Sequence, residues 1–199
     1  MKTTTLLAVG LITIIGVCFI ALTYEHVQEH KVLRSPKPAT APRPVLNVRQ
    51  KTLREKFVEK MVRDKAAYSQ QQLKEAEHLY QVANKKFGTP EAKESLIALI
   101  EKYPDLDRTG CAVLYMAQMS HGDDRAQYLQ DCINKYNGCF YGNGVQVGAY
   151  ARFLLIQDYQ KQGEPAKAEA LINEIKTNYA DAIDHGGNLL VDSLNTGAK

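Results

Sequence analysis

The sequence predicts an all-α protein: antiparallel helical hairpins stacked as a short solenoid, preceded by one transmembrane helix. Three observations carry this. Tyr103, Tyr136 and Tyr179 each close an apolar, helix-forming run (Leu-Ile-Glu-Lys-Tyr, Cys-Ile-Asn-Lys-Tyr, Ile-Lys-Thr-Asn-Tyr) at spacings of 33 and 43 residues. A period near ~34 residues is one helix–turn–helix unit, and such units cannot bury their apolar faces alone, so they stack. Residues 3–24 carry no charge and are mostly Leu, Ile, Val, Ala, Gly and Phe; about 20 helical residues at ~1.5 Å each match a ~30 Å hydrocarbon core. No alternating strand pattern of any length occurs.

Three regions follow from the N-terminus. Residues 1–24 read as a transmembrane helix or uncleaved signal anchor, with the bilayer contacted through residues 5–24. The run is long and Ala21-Leu22-Thr23 is a poor cleavage site. Residues 25–48 form a Pro-rich basic linker holding four of the seven prolines; proline fixes φ and lacks a donor, so the linker is a semi-rigid spacer. Residues 49–199 form the helical domain.

Gln50 to Phe87 contains neither Gly nor Pro and reads as one long helix or two joined ones. Val62, Ala66, Ser69, Leu73, Ala76, Tyr80, Ala83 and Phe87 recur in steps of three and four, a seam facing one helical partner. That partner is the following helices or a second copy, so residues 50–87 are a candidate homo-oligomer surface. Gly88 stops this helix, and Thr89-Pro90 caps and starts the next. Further helices are expected at 90–102 (burying Leu96, Ile97, Leu99 and Ile100), 109–120, 124–136, 145–161, 165–179 and 187–194. Residues 137–144 are turn formers around Phe140 and Tyr141, an insertion that accounts for the longer spacing.

Charge and cysteines narrow the function. The first 49 residues hold 6 Lys and Arg against 2 Asp and Glu, whereas residues 50–199 hold 19 against 20. A balanced domain argues against nucleic acid as its ligand. The basic excess lies beside the membrane segment, as a solvated stalk or a contact for anionic lipid. The short N-tail favours export of the domain; the basic flank favours the alternative, a cytoplasm-facing adaptor. Cys111, Cys132 and Cys139 are odd in number, which excludes a closed disulfide framework. In an oxidising compartment one pair among them is open; otherwise all three are small core residues.

Enzymatic chemistry is poorly supported. Gly142-Asn-Gly-Val-Gln-Val-Gly148 has one residue too many for a dinucleotide fingerprint and no preceding strand. His121 or His185 beside a cysteine would make a thiol-dependent enzyme, the weakest of the readings, and neither lies in a recognised motif. No catalytic residue, metal site or cofactor is assigned.

Residues 149–183 resemble a tetratricopeptide repeat through Tyr159, Gly163, Lys167-Ala168, Leu171-Ile172, Ile175 and Tyr179; residues 109–137 match less well, with Gly122, Ala126 and Tyr136. The resemblance implies that Tyr packs between helices, Gly permits the tight turn and Ala lets the helices approach closely. It also implies a ligand groove lined by the first helix of each pair. Tyr115, Gln118, Arg152 and Tyr159 are the candidate groove residues, and a protein or peptide is the expected partner. The layout is similar to that of inner-membrane proteins with one anchor and a periplasmic repeat domain, working as scaffold, assembly factor or chaperone-like adaptor.

Overall fold

A computed structural model describes residues 48–196, and within them the chain forms eight helices. They are α1 (Val48–Ala67), α2 (Gln70–Lys85), α3 (Pro90–Lys102), α4 (Asp107–Met119), α5 (Gly122–Asn134), α6 (Val147–Gln162), α7 (Pro165–Asn178) and α8 (Leu190–Thr196). The membrane segment and most of the linker expected from the sequence lie outside the described residues. Among the described residues, no helix is long and apolar enough to cross a membrane.

The helices pack as three consecutive pairs, α2 with α3, α4 with α5 and α6 with α7, and α8 closes the far end. The first helices of successive pairs touch, α2 with α4 and α4 with α6. Local chemistry sets the pair boundaries. Thr89 accepts the Ala92 N–H and Pro90 stands in the first turn of α3, where a missing donor is harmless. Gly163 ends α6 with φ 73°, a left-handed value that Gly alone takes freely. Tyr103 and Tyr179 are the C-caps of α3 and α7, so the recurring tyrosines mark the end of each pair. Ala168 is buried, as expected where α7 crosses its partner, whereas Ala126 is exposed.

One open reading is resolved and two expectations are corrected. The Gln50–Phe87 stretch is two helices: Ser69 caps α2 by accepting the Gln72 N–H, and the Gln72 side chain accepts the Ser69 N–H. This reciprocal capping box breaks the helix without Gly or Pro. The seam breaks with it, since Ala76, Tyr80 and Ala83 are buried but Val62 and Phe87 are exposed. Ile97 points outward from α3 and is exposed.

The core runs through all three pairs, around Leu96, Leu99, Leu114, Leu129 and Leu155, with a second cluster around Ile156, Ile175 and Leu190. A third cluster explains the longer repeat. The chain between α5 and α6 and that between α7 and α8 fold into the same hairpin-like loop, 43 residues apart. Val147 N–H bonds Cys139 O and Tyr141 N–H bonds Val145 O; Leu190 N–H bonds Ala182 O and Asp184 N–H bonds Asn188 O. Gly144 (φ 93°) and Gly187 (φ 85°) turn the two loops. Their Phe140, Val145 and Ile183 receive Leu53 of α1, with Phe57 beside them. Helix α1 is thus a strap. Its Asp64 meets the start of α4, its Phe57 faces Gly142, and its Leu53 is buried against both loops.

Candidate functional site

The exposed side of the first helices ends in two openings. The larger, about 410 Å³, lies at the C-terminal ends of α4 and α6 and the start of α5. Gln118, His121, Leu155, Tyr159 and Lys161 line it. Arg125 crosses from α5 to pair with Asp158 on α6 (Nε–Oδ2 2.6 Å) and also donates to the Ala117 carbonyl (3.0 Å). Both charged groups keep about a fifth of their side-chain surface exposed. The pair is therefore fixed in geometry yet open to a ligand, and charge-assisted bonds of this kind hold their geometry well.

The second opening, about 210 Å³, lies between α1, α2 and the start of α4. Its floor is apolar (Phe57, Met61, Leu73, Leu106) and its rim is charged (Asp64, Glu77, Asp107, Arg108). Asp107 N–H bonds Asp64 Oδ2 (3.1 Å), and Asp107 Oδ1 accepts the Phe140 N–H (2.9 Å). Burial raises the Asp107 pKa to about 6, only partly offset by the Phe140 N–H, and the neighbouring Asp64 raises it further. Burial also raises Asp64, against the Asp107 N–H and Lys60. Between the openings runs an aromatic row. Arg108 lies 4.5 Å over the Tyr80 ring, Tyr80 is 5.9 Å from Tyr115, and exposed Phe87 stacks on Tyr115 at 5.3 Å.

The four candidate groove residues separate. Gln118 and Tyr159 line the larger opening together. Tyr115 belongs to the aromatic row, its hydroxyl 3.4 Å from Asn84. Arg152 lines neither opening. It is 6 % exposed and ties α6 to its neighbours: Nη1 donates to Asn137 Oδ1 (2.9 Å) and Gly148 O (3.0 Å), and Nη2 pairs with Glu174 (2.6 Å). Its guanidinium also stacks 4.7 Å over Tyr179, whose hydroxyl donates to the same Asn137 oxygen (3.0 Å). Only its buried Nε finds no acceptor among the described residues; an arginine held at both terminal nitrogens and over a ring acts as a clamp.

No known family, curated protein or solved structure matches this chain.

Cys111, Cys132 and Cys139 are free and buried. Burial pushes Cys111 well up, Cys139 to about 12 and Cys132 upward too. A nucleophilic cysteine needs the reverse, a thiolate stabilised near neutral pH. Cys111 instead points its Sγ at Phe140 O (3.6 Å). No group of acidic, His and Cys side chains suited to a metal ion occurs among the described residues. His185 sits edge-on between Tyr141 (4.8 Å) and Tyr150 (5.1 Å), with Asn143 at 3.4 Å, and no cysteine joins it. Burial lowers its pKa.

Arg125 and Asp158 are brought together only by the fold. They lie 33 residues apart, and no local pattern announces a pair formed between two helix ends. The duplicated loop did leave a signal: the 43-residue offset joining Tyr136 to Tyr179 also joins Gly144 to Gly187.

Proposed function

We propose that the protein is a membrane-tethered interaction adaptor, with a tetratricopeptide-like stack that holds a peptide or protein segment on its first-helix face. The anchor is the apolar segment at residues 1–24, and the domain stands off the bilayer on the Pro-rich linker, on the exported side. One observation carries the reading: the roughly 410 Å³ opening gathers apolar Leu155, amphipathic Tyr159, amide Gln118 and the fixed Arg125–Asp158 pair in one place. Binding sites of this kind combine apolar area with a few placed polar groups. Exposed Phe87, stacked on half-buried Tyr115, offers further rigid contact area at low entropic cost.

The test is selection of peptides from a random library on the intact chain. Peptides that bind the wild type should lose at least tenfold in affinity to the Gln118→Ala, Lys161→Ala double variant, because both groups face the opening without supporting the core. Selected peptides that bind both proteins equally place the ligand elsewhere. A library that returns no binder rejects peptide recognition.

A further inference from the structure

We infer that α1 exchanges between two copies of this chain, each copy's α1 occupying the other's strap seat while α1 and α2 straighten into one helix. Three observations lead there.

The first is phase. Val62, Ala66 and Ser69 continue the three-and-four seam of Leu73, Ala76, Tyr80 and Ala83 on α2. The turn at Tyr68–Ser69 rotates the α1 half of that seam away from the core, leaving Val58 43 % and Val62 59 % exposed. A bent α1 therefore wastes a stripe that a straight helix would align with α2.

The second is the pivot. Nothing between Gln50 and Phe87 forbids a continuous helix, since Gly and Pro are both absent and Ala66 and Ala67 are strong helix formers. The bend is held by the Ser69–Gln72 capping box and by Tyr68, edge-on to Tyr103 at 5.9 Å. The box also makes α2 self-capped, so α2 does not need α1 in order to begin.

The third is the seat. Helix α1 docks by one narrow face, with Leu53, Phe57 and Met61 at steps of four and Asp64 at the start of α4. The opening of about 210 Å³ beneath it shows that it does not fill its bed. Leu53, Phe57 and Met61 lie about two turns or more from the pivot and Asp64 about one turn from it, and an identical helix from a second copy reproduces each of these contacts. That is the condition under which exchange of an element costs little.

Straightening would also bring Ala66, Ala67 and Ser69 of the two copies together near the pivot, where small residues allow close approach.

Photo-crosslinking tests this in the full-length chain, with p-benzoylphenylalanine in place of Phe57 and two differently tagged copies produced together. The residue 57 ring faces the Gly142 backbone, near enough that a Cβ placed there would lie 3.8 Å from it. Exchange predicts a covalent product of twice 22.3 kDa, joining residue 57 of one tag to the 139–147 loop of the other. Gln70→Pro should cut that product at least tenfold. Proline suits the first position of α2, after Ser69 at ψ 157°, but cannot sit inside a continuous helix. Its cross-link from residue 57 to the loop within one copy should remain, which shows that the variant is folded. Ser69→Ala, lacking the cap, should raise the product about fivefold per pivot. The inference is overturned if residue 57 cross-links only within its own copy in all three proteins. It is equally overturned if dimers form solely through a probe at residue 62 while residue 57 stays intramolecular, because copies then pair by outer faces without exchange.

Discussion

Replacing Asp107 with Asn should remove a pH dependence of stability that the wild type shows between pH 7.5 and 5. Asp107 is 3 % exposed, and its carboxyl rises from 3.8 to about 6 because burial disfavours the charged form. A pKa that is higher in the folded chain means that the folded chain holds the proton more tightly. Stability is therefore gained as pH falls through about 6, and the gain is complete below the unfolded value of 3.8. At ~1.4 kcal/mol per pKa unit the full swing is about 3 kcal/mol, of which about 1.4 kcal/mol falls between pH 7.5 and 5.

The groups facing Asp107 are Asp64 and Lys60 from α1, its neighbour Arg108, and Cys139 from the loop. Asp64 is raised too and adds in the same sense. His185 opposes: its lowered pKa gives stability present above 6.5 and lost as pH falls through its folded value. The lowered carboxyls of Glu75 and Asp184 withdraw their support only below the ordinary carboxylate range, outside the window. All of these remain in the variant, so the difference between the two proteins isolates Asp107. Asn retains an oxygen for the Phe140 N–H, so the helix start keeps its partner. The assay is urea unfolding of both proteins at several pH values across that range. Wild type should gain about 1 kcal/mol or more relative to the variant on acidification. Parallel curves would refute the placement of a costly buried charge at this junction.

Other substitutions test separate features. Gly148→Ala would put a Cβ 2.1 Å from Asn137 Oδ1 and 2.6 Å from its Cα; a loss of about 1–3 kcal/mol or more is expected in thermal unfolding. Gly142→Ala, whose Cβ would meet only the Phe57 ring at 3.8 Å, should stay within about 0.5 kcal/mol. Arg152→Ala should cost about 1–3 kcal/mol, since it removes the donor to Asn137 and the partner of the partly exposed Glu174. Arg152→Lys should not rescue it, because a point charge cannot serve three partners and a ring at once. Leu53→Ala should raise amide hydrogen exchange along α1 by tenfold or more while α4 to α7 stay protected, because Leu53 anchors only the strap; uniform loosening would contradict a separable α1.

The hairpins were readable because their signals are local. Thr89-Pro90 and Gly163-Glu-Pro165 state where helices start and stop, and the recurring tyrosines mark pair ends because a large side chain there fills the gap between one pair and the next. The break at Ser69 was also written locally, as Ser followed by Gln three residues on. Without Gly or Pro, the continuous seam left one helix and two joined ones equally open. Arg152 illustrates the opposite limit. Its type and helical position fit a groove, and its role as a clamp depends on Asn137, Glu174 and Tyr179, which come from other elements. Likewise the larger opening is built where three helix ends converge, a property of packing angle and not of spacing.

The tyrosine register also explains why Asp107 is where it is. Counting four residues on from Tyr103, Tyr136 and Tyr179 gives Asp107, Phe140 and Ile183. In each case the residue one earlier donates its N–H back to the tyrosine carbonyl: Leu106 to Tyr103, Cys139 to Tyr136 and Ala182 to Tyr179. These are equivalent positions in three successive units, and α1 touches all of them, Asp107 through Asp64 and the other two through Leu53. In the second and third units an apolar residue opens a loop and packs on the strap. In the first unit no loop intervenes, α4 begins at once, and the position must instead satisfy backbone donors. A carboxylate does so, accepting the Phe140 N–H of the next unit while its own N–H is capped by Asp64. The strap thus holds the second and third units by apolar burial and the first by a charge-assisted bond whose acceptor lies beside another carboxylate. Burial at the Leu53 end is indifferent to pH near neutrality, whereas the Asp64–Asp107 end is not. Acidification through pH 6 should therefore change exchange rates at the C-terminal half of α1 before it changes those around Leu53; simultaneous change along the whole helix would show that α1 docks as one rigid unit.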